Sequence, residues 1–453
     1  MVNTDILIIG VGTAGEYAAG TARQYVDSIA MIEKGPVGGD CIFHACIPTK
    51  ALVHAARAYK KMKSADFYGL PIVAGNAEYG KVKAFKDKII SGIAAGRDER
   101  WTKQGIQLFR GNARFISPNE VKVGDEVVKA NKIIVTTGSI PAVPPIPGLK
   151  EAGYITNVGA LDLEKVPEKL AIIGGGPIGM EFAQVFAAFG SRVHIYEALD
   201  RILIGEDEEI SQTVLGLFGK QGVFVSTSVT ISGVESTGSG KLIISKSKDG
   251  QEQRAEYDEI LVATGRRPAM EDLNLSAAGI EAGRKGISVN ASLQTNVPHI
   301  WAAGDVTGTF LFTFVAGEQG KTAVMNSVGD KHIELNYDVL PRATFCDPEV
   351  ASVGLTEKQA KEKDYKVKVG KYDYANLTRA IVSDETDGFI KIVAEECSGR
   401  ILGGHIVGVE ASSLVHEIAA AMAGGMSVSD IGNTFHAYPT LSEGVRYACQ
   451  AVV

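Results

Sequence analysis

Asp5-Ile6-Leu7-Ile8-Ile9-Gly10-Val11-Gly12-Thr13-Ala14-Gly15 is an apolar run closed by three glycines in the pattern G-x-G-x-x-G. A short aliphatic run of this kind predicts a strand buried on both faces, and the glycines lead into a helical stretch and a second strand ending at Ile32-Glu33. The unit returns downstream. Leu170-Ala171-Ile172-Ile173 runs into Gly174-Gly175-Gly176-Pro177-Ile178-Gly179, a helix through Phe189, and a strand from Arg192 to Tyr196 closed by Glu197. Glu33 and Glu197 stand equally far from their first glycines, Gly10 and Gly174. In such a unit the first glycine makes a tight turn, the second lets the backbone approach a pyrophosphate, and the third packs helix on strand. The helix N-terminus holds the phosphates and the acidic residue binds ribose hydroxyls. One copy also serves plain packing; two copies in strand context point to two dinucleotide sites.

Each copy has a later apolar strand ending in Thr-Gly, Ile133 to Gly138 and Ile260 to Gly265. A further strand end, Ile300-Trp301-Ala302-Ala303-Gly304-Asp305, has no counterpart in the second copy and reads as the chain returning to the first domain. Pro141-Ala142-Val143-Pro144-Pro145-Ile146-Pro147-Gly148 reads as a linker. From about Pro341 short strands (Phe389 to Val393, Ile401 to Val409) precede a helix from Ser412 to Ala423, an α+β pattern. The expected fold is α/β: two Rossmann-like dinucleotide-binding domains, one split in sequence, and an α+β C-terminal domain. The expected boundaries are 1–148, 149–272, 273–340 as the return to the first domain, and 341–453.

A length of 453 residues accommodates about three domains. The net charge of −7, without a basic arm, speaks against nucleic acid as a partner. Five cysteines are too sparse for a disulfide scaffold, and a strand under way by Asp5 leaves no room for a signal peptide, so the expected compartment is the cytoplasm. Apolar stretches are broken by glycine and polar residues, so no membrane span is expected.

Two of the cysteines carry chemistry. Gly38-Gly39-Asp40-Cys41-Ile42-Phe43-His44-Ala45-Cys46-Ile47-Pro48-Thr49-Lys50 sets Cys41 and Cys46 between a glycine turn and a helix-ready segment. In a regular helix that spacing separates the Cα atoms by roughly 8.7 Å, beyond the ~7 Å reach of a disulfide. A bridge therefore requires distorted backbone, with Pro48 in the first turn of the helix that follows. Cys46 at that N-terminus has the dipole and N–H groups that favour a thiolate. Zinc fits less well, because no second close Cys/His pair accompanies this one, and no metal site is expected. Cys346 and Cys397 read as core or strand residues.

Two dinucleotide patterns, the Cys41–Cys46 pair before Ile47-Pro48-Thr49-Lys50, Gly304-Asp305, Pro348 to Glu357, and the ending His436-Ala437-Tyr438-Pro439-Thr440-Leu441-Ser442-Glu443 resemble the pyridine nucleotide-disulfide oxidoreductases over essentially the whole chain. The branches it resembles are dihydrolipoamide dehydrogenase and mercuric reductase. The resemblance implies an enzyme, a homodimer joined through its α+β C-terminal dimerisation domain with an active site shared between subunits, that passes a hydride from NADH through FAD to the Cys41–Cys46 disulfide. The acceptor is then a small-molecule or protein-bound disulfide, a lipoyl-bearing protein among the candidates. By the same resemblance Cys46 faces the flavin and Cys41 exchanges with substrate. Lys50 and Glu181 flank the flavin ring, and Asp305 binds the ribityl chain. Gly10, Gly12, Gly15, Glu33, Gly39, Lys50, Thr137, Gly138, Gly304 and Asp305 are assigned to FAD, and Gly174, Gly176, Gly179, Glu197 and Gly265 to NADH. Each has a bland alternative: Lys50 a solvated residue, Glu181 a surface charge, Asp305 a helix N-cap. Glu197 favours NADH, since a carboxylate repels a 2′-phosphate, while the nearby Arg201 favours NADPH.

The chain departs from the lipoamide branch at Tyr438, where that branch has a histidine. A histidine of pKa about 6.5 exchanges protons with a dithiol at neutral pH, whereas a tyrosine at about 10 does not. Tyr438 therefore resembles mercuric reductase, although the chain lacks an N-terminal metal-binding domain and Cys449 is single. Other candidate groups at the catalytic site are His436 and Glu443, the latter also closing a Thr440-Leu441-Ser442-Glu443 capping box. His44 either tunes Cys41 or points to solvent, and Phe43 and Ala45 replace the family's usual Asn and Gly. Three alternatives stay open: a metal-ion reductase, an NADH oxidase or quinone reductase, and a structural subunit of a larger complex.

Overall fold

In a computed structural model, which describes residues 1–329 and 332–452, the opening apolar run is a strand, β1 (Val2–Ile9). Its side chains alternate between two cores. Ile6 and Ile8 pack with Ala14, Ala18 and Trp301, while Leu7 and Ile9 pack with Ile32, Ile133 and Val135, as the two faces of a strand require. Each of these buried aliphatic side chains stabilises the fold by about 1.5–3 kcal/mol. β1 pairs in parallel with β2 (Ile29–Glu33) on one side and with Glu126–Val135 on the other, at the centre of a seven-stranded sheet. The strand Ile300–Ala302 also joins Glu126–Val135 in parallel, Trp301 opposite Ile134, so the late strand end returns to the first sheet. Between β1 and β2 runs α1 (Thr13–Ala22), crossed closely by the helix Thr313–Val328. A Cβ at Gly320 would lie 2.2 Å from the Ala14 carbonyl oxygen, so that crossing requires glycine.

These elements belong to one compact unit, formed by Met1–Ala51, Ala84–Ala142 and Gly265–Leu335. The strand Arg266–Pro268 pairs with Ser139–Pro141 inside it. The second unit comprises Leu52–Lys83, Val143–Thr264 and Asn336–Val453. Leu52–Lys83, which the sequence reading placed with the first domain, groups there. The second unit holds a four-stranded parallel sheet ordered Phe224–Ser226, Arg192–Tyr196, Lys169–Ile173, Glu259–Val262 and a three-stranded antiparallel meander, Thr230–Ser236, Lys241–Lys246 and Glu252–Tyr257. Its C-terminal part is a five-stranded antiparallel sheet whose middle strands are Glu349–Gly354, Ile401–Gly408 and Phe389–Glu395, covered by the helices Ala411–Ala423 and Glu443–Gln450. The fold is thus α/β with two Rossmann-type parts and an α+β C-terminal part.

Lys391 is buried on the strand Phe389–Glu395, its Nζ 3.0 Å from Asp207, 3.2 Å from Glu209 and 2.9 Å from Glu357. Cys346 is buried and donates to the Pro348 carbonyl at 3.2 Å, and Cys449 lies in the C-terminal core. Cys397 departs from its expected place: it is exposed, in the polar turn Glu396-Cys397-Ser398-Gly399 that joins two strands. The capping box over Thr440–Glu443 is half formed. Glu443 accepts the Thr440 N–H at 3.1 Å, but the Thr440 hydroxyl turns to the Ala437 carbonyl at 2.8 Å, because the helix begins only at Glu443 with Ser442 as N-cap. Among the described residues no helix is long and apolar enough to cross a membrane.

Candidate active site

The two glycine turns divide their labour identically. Gly10 has φ +93°, and a Cβ there would meet the Thr136 carbonyl oxygen at 2.6 Å; Gly174 has φ +112° and would meet the Ala263 oxygen at 2.5 Å. A Cβ on Gly15 would lie 2.1 Å from the Gly10 oxygen, and one on Gly179 2.0 Å from the Gly174 oxygen. The middle glycines are open: Gly176 meets nothing within 4 Å, and Gly12 only the Gly39 Cα, at 3.7 Å. The acidic residues brace these turns. Glu33 accepts the Val11 N–H at 2.6 Å and the Gly35 N–H at 2.7 Å. Glu197 accepts the Gly175 N–H at 2.7 Å and the Leu199 N–H at 2.8 Å. Arg201 is spent elsewhere, donating to the Glu206 and Ile204 carbonyls and to Ser211 Oγ, each at 2.9 Å. Gly265 follows the last strand of the second parallel sheet and accepts the Ala142 N–H at 3.0 Å.

Two cavities open over the first turn. The larger, about 290 Å³, is lined by Gly10, Gly12, Glu33, Gly39, Thr137 and Gly138 among others. The smaller, about 150 Å³, is lined by Gly12, Cys41, Cys46, Gly138, Gly304 and Asp305 among others. The structure therefore gathers most of the expected FAD residues around connected walls, with Gly15 behind them as packing.

The cysteines sit on a broken helix. α2 (Gly39–Phe43) stops at His44, whose φ is −135°, and α3 (Cys46–Lys63) starts afresh, supplying the distortion the spacing demanded. The two cysteines are unbridged. Cys46 Sγ lies 3.3 Å from the Thr313 hydroxyl. The Cys41 thiol is driven far above its ordinary range, first by its hydrogen bond with Cys46, then by burial and the Cys46 charge; Thr313 and Lys50 oppose this. Cys41 thus keeps its proton beside Cys46, the two titrating as a pair. Lys50, in the first turns of α3, lies within electrostatic reach of the pair.

Sequence reasoning missed the polar chain behind the thiols. The Arg266 guanidinium pairs with Asp40 through Nη2 and donates to Ser139 Oγ at 2.7 Å and to the Ser139 carbonyl at 2.8 Å. Ser139 Oγ in turn donates to Asp305 at 2.6 Å. Asp40 also faces His44 Nδ1 at 3.2 Å. Burial alone pushes the Asp40 carboxyl up, but the His44 hydrogen bond and the Arg266 charge outweigh it and hold it below the usual range. Burial pushes Asp305 up, against Ser139 and Arg266. Arg266 Nη1 is buried and has no hydrogen-bond partner among the described residues, an orphan donor on a cavity wall. Asp305 stands in a 3-10 turn, Gly304–Thr307, whose N-cap is Ala303, so it is not that turn's N-cap. The one local signal for Arg266 was its place directly after Thr264-Gly265.

The remaining candidates lie in the second unit. Glu181, on the helix Pro177–Ala188, is 4% exposed and accepts the Phe345 N–H at 2.9 Å, so it is not a surface charge. His436 is tied through Nε2 to Glu417 at 2.8 Å and through Nδ1 to the Thr434 carbonyl at 3.0 Å. Tyr438 is 71% exposed, its hydroxyl 3.5 Å from Thr378 Oγ1. Glu443 is buried and also accepts from the Tyr447 hydroxyl at 3.1 Å. Among the described residues no group of His, Cys, Asp and Glu is arranged to hold a metal ion.

Glycines that admit no Cβ, an acidic brace, an orphan guanidinium donor and a dithiol on one wall fit a flavin dinucleotide. Comparison with known proteins agrees. The profile "Pyridine nucleotide-disulphide oxidoreductase" matches residues 4–325, and that of the family's dimerisation domain matches 340–449. A mercuric reductase of Lysinibacillus sphaericus is 36% identical over 98% of this chain and 82% of its own. A dihydrolipoyl dehydrogenase of Chlamydia trachomatis is 37% identical over 97% and 94%. The solved structure of the HOCl-induced flavoprotein disulfide reductase RclA from Escherichia coli superposes with a TM-score of 0.90 at 28% identity, covering 99% of this chain and 100% of that one. With both profiles matched along nearly its whole length, the chain belongs to the pyridine nucleotide-disulphide oxidoreductase family, whose members bind FAD and NAD(P) and carry a dimerisation domain.

Proposed function

We propose that this chain is an NADH-linked disulfide reductase of the dihydrolipoamide dehydrogenase type, working as a homodimer in the cytoplasm. Residues 1–148 and 273–340 serve the flavin, 149–272 the nicotinamide nucleotide and 341–453 the dimer. The observation that carries the reading is the Cys41 and Cys46 pair on the wall of the cavity that also holds Gly12, Gly304 and Asp305. When bound, FAD supplies two-electron exchange between NADH and a disulfide.

The chain's own residues do the rest. Gly10, Gly12 and Gly39 leave room for backbone contact with a pyrophosphate, and Glu33 meets the ribose. The Arg266–Ser139–Asp305 chain offers a fixed donor and a carboxylate to the sugar alcohol. Cys41 gives up its proton to the leaving sulfur as its Sγ attacks one sulfur of the acceptor disulfide, forming a mixed disulfide and releasing the first thiol. Cys46 then attacks Cys41 Sγ, releases the second thiol and restores the bridge. Lys50 supplies a cation beside the thiols, and Glu181 fixes the Phe345 backbone. Glu197 selects NADH, and the commitment of Arg201 to its own loop removes the cation that a 2′-phosphate needs. Tyr438 belongs to the surface offered to the partner subunit, with His436 and the buried Glu443 holding its loop from beneath.

Tyr438 favours a second reading, reduction of a soft metal ion, which needs no proton relay. One experiment separates the two: anaerobic reduction with NADH or NADPH, then turnover with lipoamide, oxidised glutathione, Hg²⁺ and a quinone. Disulfide reductase activity predicts two thiols appearing per subunit on reduction with NADH. It also predicts a fall of about 10³-fold or more in disulfide turnover in Cys41→Ser at unchanged flavin content. Full turnover in that variant sinks the dithiol mechanism.

A further inference from the structure

The larger and smaller cavities share five wall residues, Gly12, Asp40, Thr136, Gly138 and Ser139. Glu33 stands on the first and the two cysteines on the second. A dinucleotide reaching from Glu33 to the thiols would pass this shared wall, where Gly12 and Asp40 would lie beside its phosphates. A carboxylate there is an obstacle, since it opposes two phosphate charges at close range. Asp40 stays ionised throughout the neutral range, because its carboxyl is held below ordinary.

Two cations answer it. Arg266 is permanently charged, and its guanidinium is divided between Asp40 and Ser139. His44 is the other, with Nδ1 on Asp40 Oδ1 at 3.2 Å and its ring on the wall of the larger cavity. A carboxylate accepts, so Nδ1 carries the proton and Nε2 is the nitrogen that titrates. The other charged or titratable groups around these walls are Cys41 on α2, Cys46 on α3, Glu33 and Lys34 at the end of β2, Glu271 and Asp272 across the larger cavity, and Asp305 on the smaller one. Lys34 lies 3.9 Å from Asp272, and Arg267 pairs with Glu271. The carboxylates Glu33, Asp40, Glu271, Asp272 and Asp305 outnumber the cations Lys34, Arg266 and Arg267 by two. Protonating His44 halves that excess before any phosphate arrives.

We propose that His44 is a flavin-retention residue: protonated and paired with Asp40, it offsets the carboxylate beside the cofactor's phosphates, so FAD is held more tightly at acid than at alkaline pH. This rests on the assignment of FAD to these cavities. His44 is the one group on the wall whose ordinary titration falls between pH 5 and 8. Its side chain is 42% exposed, so the effect is that of a single half-screened pair, about three- to tenfold in affinity.

The test is the dissociation constant of FAD, read from the fluorescence of released flavin, at pH 5.5 to 8.5 for the wild type, His44→Gln and Asp40→Asn. The wild type is expected to weaken about three- to tenfold as pH rises. His44→Gln is expected to sit at the alkaline value at every pH, and Asp40→Asn to bind more tightly than the wild type at alkaline pH, with a shallower pH dependence. The opposite signs keep the test decisive if one variant is poorly folded. A His44→Gln profile that follows the wild type overturns the proposal and leaves the flavin assignment intact. A wild type that takes up no FAD overturns both.

Discussion

Gly39 carries two constraints at once. Its φ is +65°, which disfavours any side chain, and a Cβ there would lie 2.7 Å from the Gly12 Cα. Gly39→Ala is expected to cost about 1–3 kcal/mol from the backbone conformation alone and to lower flavin content as the turn is pushed aside. Co-purified FAD per subunit together with the urea midpoint checks this; a variant with full flavin and unchanged stability would contradict it. Tyr438 makes a different prediction. A histidine at this place would supply the proton exchange that a lipoamide reductase needs, so Tyr438→His is expected to raise lipoamide turnover by about 10²-fold. A new limb in the pH–rate profile near pH 6.5 should accompany it. Turnover that stays flat would place the proton exchange on another group.

At the scale of elements, the break between α2 and α3 is what puts two thiols five residues apart within hydrogen-bond reach. The spacing announced that break, because a continuous helix forbids it. The partners of the thiols were not announced. Thr313 reaches Cys46 from a helix far along the chain, and Arg266 reaches Asp40 from a strand beyond the second nucleotide-binding part. Contacts of that range leave no local pattern to read. Lys391 is similar, an internal strand residue whose acidic partners come from two helix N-termini. Lys391→Met leaves Asp207 and Glu357 without their cation and is expected to destabilise the chain by about 3–5 kcal/mol, measured by urea unfolding. The pH dependence follows from signs. Burial pushes Asp207 up, but Lys391 prevails and its carboxyl is depressed, so its contribution is full above about pH 4 and lost as pH falls further. Burial opposes the charge on Lys391, yet Glu357 and Asp207 raise it to about 12, so its contribution is full below about pH 10 and lost as pH climbs through 12. The variant is expected to lose the acid limb of the stability curve; an unchanged limb would assign it to other carboxylates.

For the whole molecule, the duplicated strand, glycine turn, helix and acidic strand end were legible because each is local and each obeys a strict spacing. That is why the parallel strands of both sheets and the late return of Ile300–Ala302 follow from the sequence alone. The grouping of Leu52–Lys83 was not legible, since α3 runs on as one helix while its C-terminal residues join the other unit's core. The contact of Gly39 with Gly12 carries a consequence for sequence variation. Two backbones that touch with no side chain between them behave under mutation as a single inherited position. A relative that replaces either glycine must move both loops, so a survey of natural variants should find the two lost together or not at all, and the dithiol loop should tolerate change at Ile42 or Phe43 far better than at its glycine hinge.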